Sequence, residues 1–574
     1  MKNRNHFQTL PAGALKLKGE LGKMQLLCIE NLVKRTNWAG LVVPFRERYE
    51  TNSWRGEFWG KMIRGAILLA YTTQDAELKK LIKETVYDII STQDENGCIT
   101  TVAEKNQPGL WEVWGRKYVL MGLTRYCQYI EKDPVVVDAC RREVDHLMEQ
   151  LGPNGWDPLK TGYHSGLATC SIIGAIVRVY RLTGDRKYLD YAKYLVKTGC
   201  YGGGDIFQGV LEGKTPADLG NGKAYEMTSC FQGLGELCVE DDEFPQAYEI
   251  LTRYYAAVRD REIACTGLGG GKDRFGEYWN DIALIQNSTD KSRTGAIGET
   301  CVTVTWLHYL ERILQLTGDA KVFDQCELAF YNAMLGAMVP DGSNCTHWNP
   351  TPLNGPTYKI HSIDQMLIGF NRAFHGMDCC RAQAAEGLGL AGILAVMLQD
   401  NAPVFNLYED MEVSLDGVKY TVEGGWPFKG DQAKITLSMD APRKLALRFR
   451  VPERETGKAF AQVNGESLDA TPGTYLAIDR EWKDGDTVTL TFDQALRKRI
   501  LPTTPNSFCY MEGPIVMAED GRLNMYHGDT YSYRKVDTIG DKYICDYASA
   551  GSEFTDIHHF RVIFEKDEEL GQLD

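Results

Sequence analysis

Four side chains in the middle of the chain form one chemically coherent set. They are Glu299 and Cys301, two residues apart, and the adjacent pair Cys379 and Cys380. One carboxylate and three thiolates suit Zn²⁺, which takes Cys sulfur and carboxylate oxygen in four-coordinate sites. On an extended strand or turn, positions i and i+2 point to the same side, so Glu299 and Cys301 are expected to converge. An adjacent Cys-Cys pair departs from the Cys-x-x-Cys spacing of structural zinc sites. It suggests a crowded, reactive centre rather than a folding staple. The alternative stays open, because the chain holds 16 cysteines and free Cys is often a buried small hydrophobe.

Other stretches carry side chains that bind sugars or pack cores. Trp54-Arg55-Gly56-Glu57-Phe58-Trp59-Gly60-Lys61 mixes aromatics with charge. Glu57 and Trp59 are candidates for a substrate wall, and the same spacing also fits plain helix packing. His347-Trp348 lies in a proline-rich loop ahead of Cys379, which makes His347 a candidate; His164 is a weaker one, since a lone histidine is more often structural.

The elements that must position these residues fall in two textures. From about Gly19 to Asp400 the pattern is helical. Trp306, Leu307, Leu310, Ile313 and Leu314 make one apolar stripe that stops at Leu316-Thr317-Gly318-Asp319, with Gly318 as the expected C-cap. The same ending, Leu182-Thr183-Gly184-Asp185, closes an apolar-periodic run from Ile172, and Tyr71-Thr72-Thr73-Gln74-Asp75 is a looser relative. A second helix follows each. Recurring helical hairpins point to a closed α/α toroid or an open solenoid. Near Ala402 the period changes to two, as in Lys434–Met439, Leu445–Arg450 and Thr487–Phe492, with turns at Asn464-Gly465 and Asp484-Gly485. Short strands at this spacing imply a β-sandwich. The expected architecture is multidomain, mainly α then β: an (α/α)6 barrel over 1–402 and a β-sandwich over 403–574, with an acidic solvated tail at its end. Long polar loops at 264–298 and 340–380 lead into the Glu299/Cys301 and Cys379/Cys380 pairs, as functional loops do.

Composition narrows the partners. With 63 basic and 78 acidic residues the net charge is −15, which disfavours nucleic acid and anionic membranes. No secretory or membrane-spanning apolar run is visible. Sixteen irregularly spaced cysteines then read as reduced thiols in a cytoplasmic protein. A homodimer through the sandwich is an expectation only.

Together Gly276-Glu277, Glu299-Thr300-Cys301, Asn349-Pro350, Cys379-Cys380, the Leu-Thr-Gly-Asp helix ends, Val463-Asn464-Gly465-Glu466 and Glu481–Asp486 resemble the zinc-thiolate β-L-arabinofuranosidases, glycoside hydrolase family 127 and relatives. The resemblance implies an (α/α)6 barrel with β-sandwich modules. It implies Zn²⁺ on Glu299, Cys301, Cys379 and Cys380, with Cys379 as nucleophile and Glu277 as general acid/base of a retaining exo-glycosidase acting on oligosaccharides. Phe275, Tyr278 and Trp279 would form an aromatic wall for Glu277. Arg116 and Lys223 stand where the family places histidines around the sugar. Cations there suit a carboxylated plant cell-wall sugar, or they pair with local carboxylates such as Glu112 and Glu226. Two rival readings remain: a polysaccharide lyase acting on uronic acids, and a non-catalytic carbohydrate-binding protein with structural zinc.

Overall fold

The computed structural model describes residues 5–50, 54–271, 276–279, 297–350, 377–455, 460–501 and 504–517, and strand segments within 537–565. Six helices pack in sequence and close on themselves: α1 (Gly56–Thr73), α2 (Glu112–Tyr129), α3 (Ile173–Thr183), α4 (Ala224–Glu240), α5 (Thr300–Thr317) and α6 (Cys379–Leu394). Each touches the next, and α6 returns to α1. This is the inner ring of an (α/α)6 barrel. Inner helices are buried nearly all round; α1 keeps only Tyr71 and Thr73 short of full burial. Outer helices such as Arg186–Lys197 bury one face and expose the other, as a one-sided partner must.

The hairpin turns follow from their sequence. Gly318 and Gly184 cap their helices in the left-handed region at φ 62° and 73°, which glycine adopts without a Cβ penalty. Asp319 and Asp185 then cap the next helix, accepting from the backbone N–H of Lys321 and Lys187. The Gln74-Asp75 copy behaves identically: Gln74 is left-handed and Asp75 accepts from Leu78 N–H.

Two main sheets follow the barrel. One runs Gln8–Thr9, Val396–Gln399, Ala402–Phe405, Arg443–Val451, Thr474–Trp482. The other runs Glu466–Leu468, Ala461–Val463, Thr487–Thr491, Gln432–Met439, Val418–Glu423, Met411–Leu415, Leu15–Leu17. The expected division at 402/403 is therefore crossed at both ends. The sheet starts at Val396, directly after α6, and residues 8–17 add an edge strand to each sheet. Their few residues carry no alternation long enough to read. The sandwich is riveted to the barrel by Arg450, which is fully buried, pairs with Asp324, and lies 2.8 Å from Glu327 on outer helix Ala320–Leu328. A further antiparallel sheet is formed by Asp537–Ile539, Lys542–Asp546 and Arg561–Glu565; the acidic end expected as a tail, 566–574, lies outside the described residues.

Candidate active site

The N-terminal ends of two neighbouring inner helices bring the thiolates together. Strand Ile297–Glu299 pairs antiparallel with Trp348–Pro350 and delivers Glu299 as the N-cap residue of α5, with Cys301 in its first turn. Glu299 and Cys301 thus converge across a strand-to-helix junction rather than along a strand. Asp378 caps α6, accepting from Arg381 N–H at 2.8 Å, so that Cys379 and Cys380 start that helix. Thiolates at helix N-termini meet the positive end of the helix dipole.

The donor atoms of Glu299, Cys301, Cys379 and Cys380 all lie within 4.8 Å of one another. Glu299 Oε1 is 3.8 Å from Cys379 Sγ and 3.5 Å from Cys380 Sγ. Three sulfurs and one carboxylate oxygen match the ligand chemistry of Zn²⁺ in number and type, so the residues fit a zinc ion. His347 joins from the strand side: Nδ1 is 3.9 Å from Cys379 Sγ and 3.8 Å from Asp378, and Nε2 is 3.6 Å from Glu299. Hydrogen bonds from the Cys301 and Cys380 thiols, with the His347 ring, hold the Cys379 thiol well below its ordinary range against the opposing effect of burial. Burial pushes Cys301, Cys380 and Glu299 the other way.

Glu277 reaches the same cluster from a different element. Its backbone carbonyl accepts from Ala224 N–H at 3.0 Å, and Trp279 N–H donates to Gly222 at 2.8 Å. The segment 276–279 is thereby laid along the start of α4. The Glu277 carboxylate pairs with Lys223 and lies with Glu299 and His347 in one group of atoms within 4.8 Å. Its side chain is 28 % exposed against 3 % for Glu299, so Glu277 faces the open side. Tyr278 lies 6.4 Å from His164. Trp279 turns into the core, donating to Tyr254, and forms no wall for Glu277. Phe275 lies outside the described residues.

The barrel mouth supplies a polar and aromatic lining. Glu57 pairs with Lys61 at 3.0 Å and accepts from Trp114 Nε1. Burial pushes the Glu57 carboxyl up to about 7. Lys61 Nζ is 3.6 Å from Cys301 Sγ and 4.7 Å from the Tyr225 ring centre. His164 accepts from or donates to Asn221 at 3.0 Å and stands 3.9 Å from Glu226.

Two expected substrate residues are not in this group. Arg116 is fully buried on the far side of α2, bound to Glu143 and, at 2.8 Å, to Gln150 of outer helix Pro134–Gln150. Trp59 is fully buried and donates to Thr85 of outer helix Ala76–Ile90. Both lie about 200° around their helices from Trp114 and Glu57, which do face the lumen. Lys117, Tyr118 and Gln383 went unrecognised in the sequence. Lys117 sits 4.0 Å over Trp114, and Tyr118, Tyr225 and Gln383 form a hydrogen-bonded chain. Helical spacing could have found them: Trp114, Lys117 and Tyr118 share one face, as do Glu57, Lys61 and Arg64.

Comparison with known proteins points the same way. The description of the β-L-arabinofuranosidase GH127 catalytic domain matches residues 6–390, and that of the GH127 middle domain matches 404–494. A non-reducing end β-L-arabinofuranosidase of Bifidobacterium longum subsp. longum is 19% identical over 526 residues, covering 83% of this chain and 76% of that one. A solved GH127 β-arabinofuranosidase superposes with a TM-score of 0.71 at 18% identity, over 90% of this chain and 86% of its own. A GH127 β-L-arabinofuranosidase from Geobacillus stearothermophilus T6 gives 0.68 at 18% identity, over 88% and 86%.

Proposed function

The chain belongs to the GH127 β-L-arabinofuranosidase family of glycoside hydrolases, and from that premise we propose that it is a retaining, exo-acting hydrolase of neutral β-L-arabinofuranosides, with Cys379 as nucleophile and Glu277 as general acid and base. The observation that carries this reading is the convergence of Glu299, Cys301, Cys379 and Cys380 within 4.8 Å, with Glu277 in reach of the same Glu299.

Retention needs two displacements at the anomeric carbon. In the first, the Cys379 sulfur forms a bond to that carbon while the Glu277 carboxyl gives its proton to the departing glycosidic oxygen. In the second, the Glu277 carboxylate takes a proton from water, the water oxygen attacks the same carbon, and the thiolate of Cys379 leaves. Zn²⁺ held by Glu299, Cys301, Cys379 and Cys380 would keep the sulfur ionised and make it a better leaving group. Trp111, Trp114 and Tyr163, packed with centroids 4.7–5.8 Å apart, offer rings for a furanose face.

A carboxylated sugar, or a lyase reaction on uronic acids, drew support from Arg116 and Lys223. Arg116 is directed away from the lumen, and the Lys223 charge is met by Glu277 and Glu226. What remains favours a neutral pentose. Every cysteine side chain described is a free thiol, which supports a reducing, cytoplasmic setting. Among the described residues no helix is long and apolar enough to cross a membrane.

The test is a panel of neutral and acidic synthetic furanosides and pyranosides, followed by proton NMR of the first-released anomer and zinc analysis of the purified protein. Release of β-L-arabinose from the neutral furanoside with one bound zinc is the expected result. Unsaturated, ultraviolet-absorbing products or net inversion would refute it.

A further inference from the structure

The opposite end of the barrel holds a second polar chamber. Cys301 sits in the first turn of α5 and Arg312 three turns further on, about 16 Å away along the helix. Around Arg312, the last turns of the inner helices and the N-terminal residues Asn5–Thr9 enclose a cavity of about 310 Å³. Its wall carries four guanidiniums, Arg125, Arg178, Arg181 and Arg312, against two carboxylates, Glu236 and Glu311.

The carboxylates are oversubscribed. Glu236 alone faces Arg178 at 3.0 Å, Arg181 at 2.5 Å and Arg312 at 3.4 Å. Arg125 is committed inward to Glu386 at 2.8 Å, and Arg181 is also met by Glu240 at 2.6 Å. Donors are left over: Arg178 Nη1, Arg312 Nε and Arg125 Nε are buried without a hydrogen-bond partner among the described residues, and Arg125 and Arg312 are only 2 % and 4 % exposed. A buried donor without a partner costs about 1–3 kcal/mol, so an acceptor entering the chamber would meet groups waiting for it. Burial holds Arg125 and Arg312 below the ordinary guanidinium range, against the opposing pull of Glu386 and Glu236 respectively.

We propose that this chamber is a binding site for a small phosphate-bearing anion, distinct from the sugar site at the other mouth of the barrel. Guanidinium forks match the oxygens of a phosphate bidentately. A volume near the lower end of small-molecule sites suits a monoester of a small metabolite better than the free ion. The Asn5–Thr9 segment that helps to line the chamber is tied down by the Asn5 side chain accepting from Arg312 Nη2 at 3.0 Å and by His6 N–H donating to Gln315.

The experiment is calorimetric titration of the full-length protein with inorganic phosphate, ribose 5-phosphate and ribose at one ionic strength, repeated on Arg178→Gln and Arg178→Lys. Arg178 is the variant of choice because Glu236 keeps Arg181 and Arg312 when it is removed. The expected result is saturable binding of ribose 5-phosphate, at least about tenfold weaker in Arg178→Gln and intermediate in Arg178→Lys, with arabinofuranoside turnover unchanged in all three proteins. Equal affinity for phosphate and its ester assigns the free ion as ligand; preference for the ester assigns the metabolite class. If neither binds the wild-type protein better than ribose, or if Arg178→Gln binds as tightly as wild type, the proposal is overturned. A variant that fails to fold leaves the wild-type titration as the decisive measurement.

Discussion

The ammonium of Lys61 lies 3.6 Å from the sulfur of Cys301 and 3.0 Å from the carboxylate of Glu57. It reaches across the lumen from one inner helix to the next but one. A zinc ion with three thiolates and a carboxylate carries two net negative charges, and a buried charge needs a partner. Lys61, itself 1 % exposed, is placed to supply one. Burial alone would pull its ammonium down, but Cys301 and Glu57 hold it well above the usual lysine range. Lys61→Met is therefore expected to weaken zinc retention by about 10–100-fold, the usual effect of losing a partner of a metal ligand. Competition against a calibrated chelator measures it. Unchanged zinc affinity in a folded Lys61→Met protein would show that the charge is balanced elsewhere.

Cys379 is the most exposed of the three clustered cysteines, as the role proposed for it as nucleophile requires. Cys379→Ala is expected to lower kcat by at least about a thousandfold while the melting temperature stays within a few degrees. Cys301→Ala, by contrast, removes a fully buried member of the proposed zinc set beside Lys61 and is expected to lower both zinc content and stability. Equal residual activity in the two variants would contradict separate roles for these sulfurs.

Much of this arrangement could be read from the chain because local rules and tertiary demands agree. The Thr-Gly-Asp helix ends at Gly184 and Gly318 encode both the stop of one helix and the cap of the next, so the hairpin repeat is written in short range. Residue type suggested the cluster without deciding it, since buried free thiols stayed an alternative, and the family resemblance supplied the full set. Lumen-facing and outward-facing positions on α1 and α2 were not legible, because these two helices are buried nearly all round and show no exposed polar face to set the phase. Arg116 was assigned to the sugar from the family's histidine positions and Trp59 from its aromatic and charged neighbours, yet their helical phase directs them to the outer ring. The strands at Gln8 and Leu15 were hidden for a different reason: their partners lie at Leu398 and Val413, and nothing in a two- or three-residue strand announces a pairing that distant.

Arg116 gives a direct check on that phase argument. It lies between Glu143 and, at 3.6 Å, Glu112, all three side chains fully buried. Arg116→Met leaves two buried carboxylates without their cation, and breaking such a network costs about 3–5 kcal/mol. The expected outcome is a large drop in urea midpoint with KM for the arabinofuranoside unchanged at a temperature where the variant is folded. A raised KM with unaltered stability would instead return Arg116 to the sugar site.

Glu409 couples the sandwich to the start of the barrel and makes stability depend on pH. Its carboxylate oxygens accept from Leu21 N–H at 3.3 Å and Gly22 N–H at 3.2 Å, in the first turn of helix Glu20–Cys28. Those bonds favour the charged form, but burial outweighs them and pushes the carboxyl up from 4.5 to about 8. The folded protein therefore keeps this proton up to about pH 8, whereas the unfolded chain loses it near pH 4.5. Between those limits the folded state binds more protons than the unfolded one, so stability falls as pH rises. The contribution is fully present below pH 4.5 and exhausted above about 8. Glu409→Gln removes the titration while keeping the shape and one acceptor. Its stability relative to wild type is expected to rise across that interval by up to a few kcal/mol and then level off. Urea unfolding of both proteins at pH 5, 7 and 9 reads the difference directly. A gap that is constant with pH would mean that Glu409 is ionised in the folded protein throughout, with its charge held by the two helix N–H groups alone.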